Sequence, residues 1–154
     1  MKNLTEYLEE SLLDIEDNVD TEIDFVKEIK NFIKSKFKAV GVSVSKKPDE
    51  DGKYVVNAKS VETKTSDLDS LTNGYFKWGT IALDFHCDHS NITTLEGGPS
   101  AVGRIFNCSF CKKLKSLEGA PKVVGGKFYC MKMDFTEDDV RKVTKAKYVD
   151  AKVV

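Results

Sequence analysis

The rhythm of hydrophobic positions changes along the chain and divides it. Leu4, Leu8, Leu12, Ile15 and Val19 recur at spacings of three and four, the stripe of an amphipathic helix. Glu6, Glu9, Glu10, Asp14, Glu16 and Asp17 fill most of the opposite face. Thr21 followed by Asp24 resembles a capping box, so a second helix is expected from about Thr21. Its stripe runs through Ile23, Val26, Ile29 or Lys30, Ile33 and Phe37. Residues 1–37 thus form an acidic helical region. From Lys38 the period falls to two. "AVGVSVS" and "YVVNAKSV" read as strands on either side of the turn "KKPDEDGK", which predicts a β-hairpin over 38–64.

Over 65–133 the chain repeats itself. "SLTNGYFKWGTIALDFHC", "TLEGGPSAVGRIFNC" and "SLEGAPKVVGGKFYC" share a leucine, a following glycine, an apolar–glycine pair and an alternating strand. Leu71, Leu95 and Leu117 lie 24 and 22 residues apart, as do Trp78-Gly79, Val102-Gly103 and Val124-Gly125. Phe85, Phe106 and Phe128 lie 21 and 22 apart, and so do Cys87, Cys108 and Cys130. A unit of this size cannot bury its apolar edge alone, so the copies are expected to stack around one core. Phenylalanine and cysteine two residues apart share a strand face, which points both inward. The outward rows are then Asp84, Ile105 and Lys127; His86, Asn107 and Tyr129; and Asp88, Ser109 and Met131. The glycines recur with the repeat and are expected in tight turns at positive φ. Residues 134–154 break the pattern. "FTEDDVRKV" reads as a short helix capped by Thr136, with acids in its first turn, and "AKYVDAKVV" as a closing strand. Together these elements predict an α+β protein: N-terminal helices, a small solenoid or sheet stack, and a C-terminal helix-strand cap.

The period and the strand pattern resemble the leucine-rich repeat. Phe85, Cys87, Ser90 and Ile92 stand at the positions of that family's L-x-L-x-x-N-x-L core. Phe106, Cys108, Cys111 and Leu114 do so in the next unit, with one extra residue before the leucine. "SLEGAP" is similar to the "SLPELP" phrase of short bacterial leucine-rich repeats. The chain departs from the family in placing Phe and Cys where strand leucines stand, and in having about three units. The repeat, together with the leader "MKNLTEYLEESLLD", also resembles small repeat proteins encoded by tailed phages. That resemblance implies a virion-associated or host-interacting protein, and Leu8-Glu9-Glu10 fits the Leu-x-Glu pattern of prohead-protease cleavage.

Composition narrows the chemistry. The chain has 154 residues and a net charge of only −1. That charge is unevenly spread: residues 1–37 hold ten acids and five lysines, while residues 101–154 hold twelve Lys or Arg and six acids. No run of about 18 apolar residues predicts a membrane-spanning helix, and no basic-then-apolar leader predicts secretion. The expected location is therefore the cytoplasm, in the host cytoplasm or a virion if phage-encoded, with the four cysteines reduced. Cys108-x-x-Cys111 with Cys87 and Cys130 offers sulfur donors for zinc, but strand alternation places these residues in the core. No metal or other cofactor is expected. His86 faces out from a strand and His89 sits in a turn, and neither completes a hydrolytic triad. Lys112, Lys113, Lys115, Lys122, Lys127 and Lys132 cluster, yet near-neutral charge and scarce arginine speak against nucleic acid. The expectation is a non-enzymatic protein-binding module. Its candidate contact residues are Asp84, His86, Asp88, Ile105, Asn107, Lys127, Tyr129 and Met131. A zinc protein or a nucleic-acid accessory protein stands as the alternative, and the oligomeric state is open.

Overall fold

The structure, a computed structural model, describes Asn3 and residues 15–153, the side chains of 15–23 excepted. Leu4, Leu8 and Leu12, the acids Glu6 to Asp14 and the tripeptide Leu8-Glu9-Glu10 lie outside the described residues, as do the side chains of Ile15, Val19, Thr21 and Ile23. The chain opens with α1 (Ile15–Lys36), followed by β1 (Phe37–Val40), β2 (Ser43–Val44), β3 (Tyr54–Ala58) and β4 (Ser60–Thr63). Then come β5 (Phe76–Ile81), β6 (Asp84–His86), β7 (Ala101–Val102), β8 (Ile105–Asn107) and β9 (Val123–Met131). α2 (Glu137–Val143) and β10 (Lys145–Lys152) follow.

α1 corrects one expectation. It runs unbroken through Thr21, so no second helix starts there. No glycine or proline interrupts residues 15–36, and a Thr-x-x-Asp pattern sits as well inside a helix as at its start. Ile29 and Ile33 are fully buried, and Phe25, Val26 and Phe32 pack against the core. Phe37 is buried too, but as the first residue of β1. The phenyl ring of Phe32 meets Phe37 at 6.2 Å and Phe76 at 6.0 Å, and Phe25 meets Tyr75 at 5.0 Å. The helix therefore packs on the first rungs of the stack, at its end.

The remainder is a coil repeated about four times, a β-solenoid. One parallel ladder runs β3–β5–β7–β9 and the other β4–β6–β8–β9. β9 is long enough to serve both, and β10 pairs with it in parallel along its length. The predicted hairpin forms, but it does more than cap. Phe37↔Thr63 to Val40↔Ser60 and Ser43↔Asn57 to Val44↔Val56 keep a single antiparallel register, bent at Gly41, where φ is 67°. Its second arm, β3 and β4, is itself the first coil of the solenoid.

The registers align Phe85, Phe106 and Phe128, as the period predicts. They correct another alignment. Val102 pairs with Ile81, not with Trp78, so Ile81-Ala82 is the equivalent of Val102-Gly103. Trp78 instead pairs with Val56 in the first coil, and its indole N–H donates to the Leu71 carbonyl at 2.8 Å. An aromatic spine results: Phe37 and Phe76 each meet Trp78 edge-on, Trp78 meets Phe85 at 5.5 Å, Phe85 stacks on Phe106 at 5.8 Å, and Phe106 meets Phe128 at 5.0 Å. All of these rings are at most 2% exposed.

The recurring phrase has a local cause. Gly98 N–H donates to Leu95 O and Ala120 N–H to Leu117 O, closing turns in which Gly97 and Gly119 have φ of 80° and 91°. Thr94 and Ser116 hydroxyls accept from the amides of Glu96 and Glu118. Thus (Ser/Thr)-Leu-Glu-Gly is a turn with one buried leucine. Gly103 and Gly125 serve a different purpose from the expected positive φ. At the corner between ladders the coils touch backbone to backbone, and a Cβ at Gly103 would lie 1.9 Å from the Ala82 carbonyl oxygen. Gly125 stands in the same relation to Gly103, at 2.3 Å. The far end closes as expected. Thr136 caps α2, accepting from Asp139 N–H while the Asp139 carboxylate accepts from Thr136 N–H at 2.9 Å. Val140 is buried, and β10 adds the last rung.

Candidate functional site: the outward face of the stack

Ladder pairing brings the outward candidates into rows. Asp84, Ile105 and Lys127 are direct neighbours, and so are His86, Asn107 and Tyr129. All six are half-buried, as are Asp88 and Met131. The rows are longer than the sequence reading supposes. Glu62 precedes His86, Asp150 follows Tyr129, Tyr148 follows Lys127, and Lys152 follows Met131. The signal for this was present, since Val149 follows Phe128 by the same 21 residues that separate Phe85 from Phe106. Ser109, in the third row, is not available for contact. It is buried, and its hydroxyl accepts from the Met131 amide at 2.9 Å.

The polar side chains on this face hold one another in place. Arg104 Nη2 donates to Asp84 Oδ2 at 3.1 Å, while Asp84 Oδ1 is buried with no partner among the described residues. The Lys127 ammonium lies 5.2 Å from the centre of the Tyr129 ring, a cation–π contact. The Asp88 carboxylate sits between two imidazoles, 2.9 Å from His89 Nδ1 and 3.9 Å from His86 Nδ1. His89 in turn stacks on Phe110, 4.4 Å between centroids and 13° apart in plane.

His89, Phe110 and Lys132 share an unusual feature. They have φ of 56°, 59° and 58°, a left-handed backbone carried by three side-chain-bearing residues at the same point of successive coils. Each such conformation costs on the order of 1 kcal/mol or more. It is held by the ladder: His89 N–H donates to Ser109 O, Phe110 N–H to Met131 O and Lys132 N–H to Lys152 O. Their side chains project at the edge of the outward face, next to Asp88 and Met131. Phe110 escaped the sequence reading because left-handed backbone has no side-chain signature outside glycine and asparagine.

The cysteines form the opposite, inward side. Cys87, Cys108, Cys111 and Cys130 are all free and fully buried. Cys111 Sγ lies 3.2 Å from the Cys87 carbonyl oxygen and 3.4 Å from the Ser90 hydroxyl, at the repeat position expected for it. Burial pushes the Cys87 and Cys111 thiols up from their ordinary range. The hydrogen bond between the Cys108 and Cys130 sulfurs, with burial, keeps the proton on Cys108, whose pKa is pushed well up. Among the described residues no group of three or more His, Cys, Asp and Glu is placed to hold a metal ion. All four sulfurs lie within the core.

Among the described residues no helix is long and apolar enough to cross a membrane. The fold defines the class: a short α+β solenoid closed by a hairpin and helix at one end and a helix-strand unit at the other. No family model, curated protein or solved structure matches the chain.

Proposed function

We propose that this solenoid is a non-enzymatic protein-binding module whose contact surface is the outward face. The observation that carries the reading is the composition of its rows. Ile105, Tyr129, Met131 and Tyr148 supply apolar and aromatic area, and Asp84, His86, Asn107, Lys127 and Asp150 lie directly beside them in register. Aromatic and apolar centres flanked by polar groups are the mix found at protein interfaces. A rigid sheet presents them with little ordering cost on binding. Among the described residues α1 makes its ring contacts at the end of the stack, with Tyr75, Phe37 and Phe76. The resemblance of repeat and leader to small phage-encoded proteins favours a virion-associated or host-interacting role, in the host cytoplasm or in the virion.

Affinity capture tests the reading. A photo-crosslinking residue at position 107 is expected to trap a defined protein. The triple variant Ile105→Ser, Lys127→Glu, Tyr129→Ala is expected to lose that protein while melting near the parent temperature. Equal capture by the triple variant removes the outward face as the site. Retention of DNA or RNA that falls steeply with salt favours the nucleic-acid alternative instead.

A further inference from the structure

At the N-terminal end of the stack an open groove of about 330 Å³ lies between the last turns of α1 and the edge strand β1. Its floor is apolar: Ile33 and Phe37 are buried, Ala39 is half-buried, and Val42 is 37% exposed. Its rim is cationic, with Lys30, Lys34, Lys38 and Lys64 around it and no carboxylate among the lining residues. Part of this has a structural reason. The Lys64 ammonium donates to the Lys34 carbonyl at 2.9 Å, satisfying a carbonyl at the C-terminal end of the helix. Lys38 also discourages pairing on the open edge of β1. Those roles leave the apolar floor and the ammonium groups of Lys30, Lys34 and Lys38 unexplained. Among the described residues these three hold no ion pair.

We infer that this groove docks an acidic amphipathic helix of a partner protein. Such a helix would lay its apolar stripe on Ile33, Phe37, Ala39 and Val42 and set its carboxylates against the lysine rim. The surface is separate from the outward face and does not depend on it. The distribution of charge decides between occupants. A single-headed amphiphile such as a fatty acid brings one anionic group, which matches one ammonium. Lys30 and Lys34 are one helical turn apart, and Lys38 on β1 and Lys64 line the same groove. Four cations spread along a rim match carboxylates that recur along one side of a helix. The groove is more open than enclosed, which suits a helix more than a buried alkyl chain.

The test is fluorescence anisotropy of the full chain with a labelled fifteen-residue helical peptide carrying leucines at i, i+4 and i+7 and glutamates beside them. Saturable binding is expected, weakening at least tenfold between low and moderately high salt. Lys30→Glu with Lys34→Glu is expected to weaken it at least tenfold more. Val42→Asp, on an exposed residue of the floor, is expected to do the same at unchanged melting temperature. The triple variant of the outward face is expected to bind like the parent chain. Three results overturn the inference: no binding at low salt, equal binding of a peptide with lysine in place of each glutamate, or binding that the groove variants leave unchanged. Saturable binding of laurate without binding of the peptide makes the groove an amphiphile site and overturns it as well.

Discussion

Phe106 is the centre of the aromatic spine, stacked on Phe85 at 5.8 Å and against Phe128 at 5.0 Å, with no exposed surface. Phe106→Ala removes a ring from a site whose two neighbours are fixed by strand pairing above and below, so little collapse is available. The lost transfer from water is worth about 2 kcal/mol for a fully buried phenylalanine. At about 24 cal/mol per Å³, an unfilled space of roughly 80 Å³ adds about 2 kcal/mol. The ring pairs, at about 0.5–1.5 kcal/mol each, raise the sum or offset partial relaxation. The expected loss is therefore about 4 kcal/mol, a large part of the roughly 5–15 kcal/mol that holds a domain folded. With a urea slope near 2 kcal/mol/M this moves the midpoint down by about 2 M. Circular dichroism and the fluorescence of the single tryptophan, Trp78, read the transition. Ile105→Ala, one residue away and facing out, is the control and is expected to cost under about 1 kcal/mol. If Phe106→Ala unfolds the chain outright, Phe106→Leu gives a measurable value of lower cost. A Phe106→Ala loss below 1 kcal/mol, or an equal loss for Ile105→Ala, refutes the inward register.

Gly103→Ala puts a methyl 1.9 Å from the Ala82 carbonyl and is expected to lower the melting temperature sharply, whereas Ser100→Ala, at an exposed site in the same coil, is expected to shift it by only a few degrees. The four buried thiols are expected to resist a thiol reagent at neutral pH in the folded protein and to react together once it is unfolded, since burial denies the reagent access to all four and raises Cys87 and Cys111; rapid labelling of the native chain counts against the inward columns. The Thr136 amide, which donates to Asp139, holds that carboxyl below its ordinary range. Its folded value is depressed, so the stability it contributes is complete above about pH 4, near the unfolded carboxyl pKa. That stability fades as pH falls through the folded value. Asp139→Asn is expected to flatten this part of the stability–pH curve, and Thr136→Ala to cost about 1 kcal/mol at neutral pH.

Local periodicity alone is enough to place some residues. Phe85, Phe106 and Phe128 point inward with Cys87, Cys108 and Cys130 because alternation fixes the face of a strand whatever it pairs with. Thr136 caps α2 because hydroxyl and carboxylate satisfy the first amides within one turn. The tertiary structure decided which neighbour each face meets. Trp78 left the repeat alignment because β5 pairs with β7 at Thr80 and Ile81, and the extra residues of "SLTNGYFKWGT" are absorbed before that rung. The hairpin doubles as the first coil because β3 and β4 pair on both edges, which no single-strand pattern encodes. Thr21 lies within one helix because nothing in the chain breaks it and Ile29 and Ile33 find the open end of the stack to cover. The left-handed row of His89, Phe110 and Lys132, and the groove of Lys30, Lys34, Lys38 and Lys64, exist only once coils and helix are packed. Hydrophobic periodicity records that a face is buried, and burial alone is silent on the partner, the corner and the space left between them.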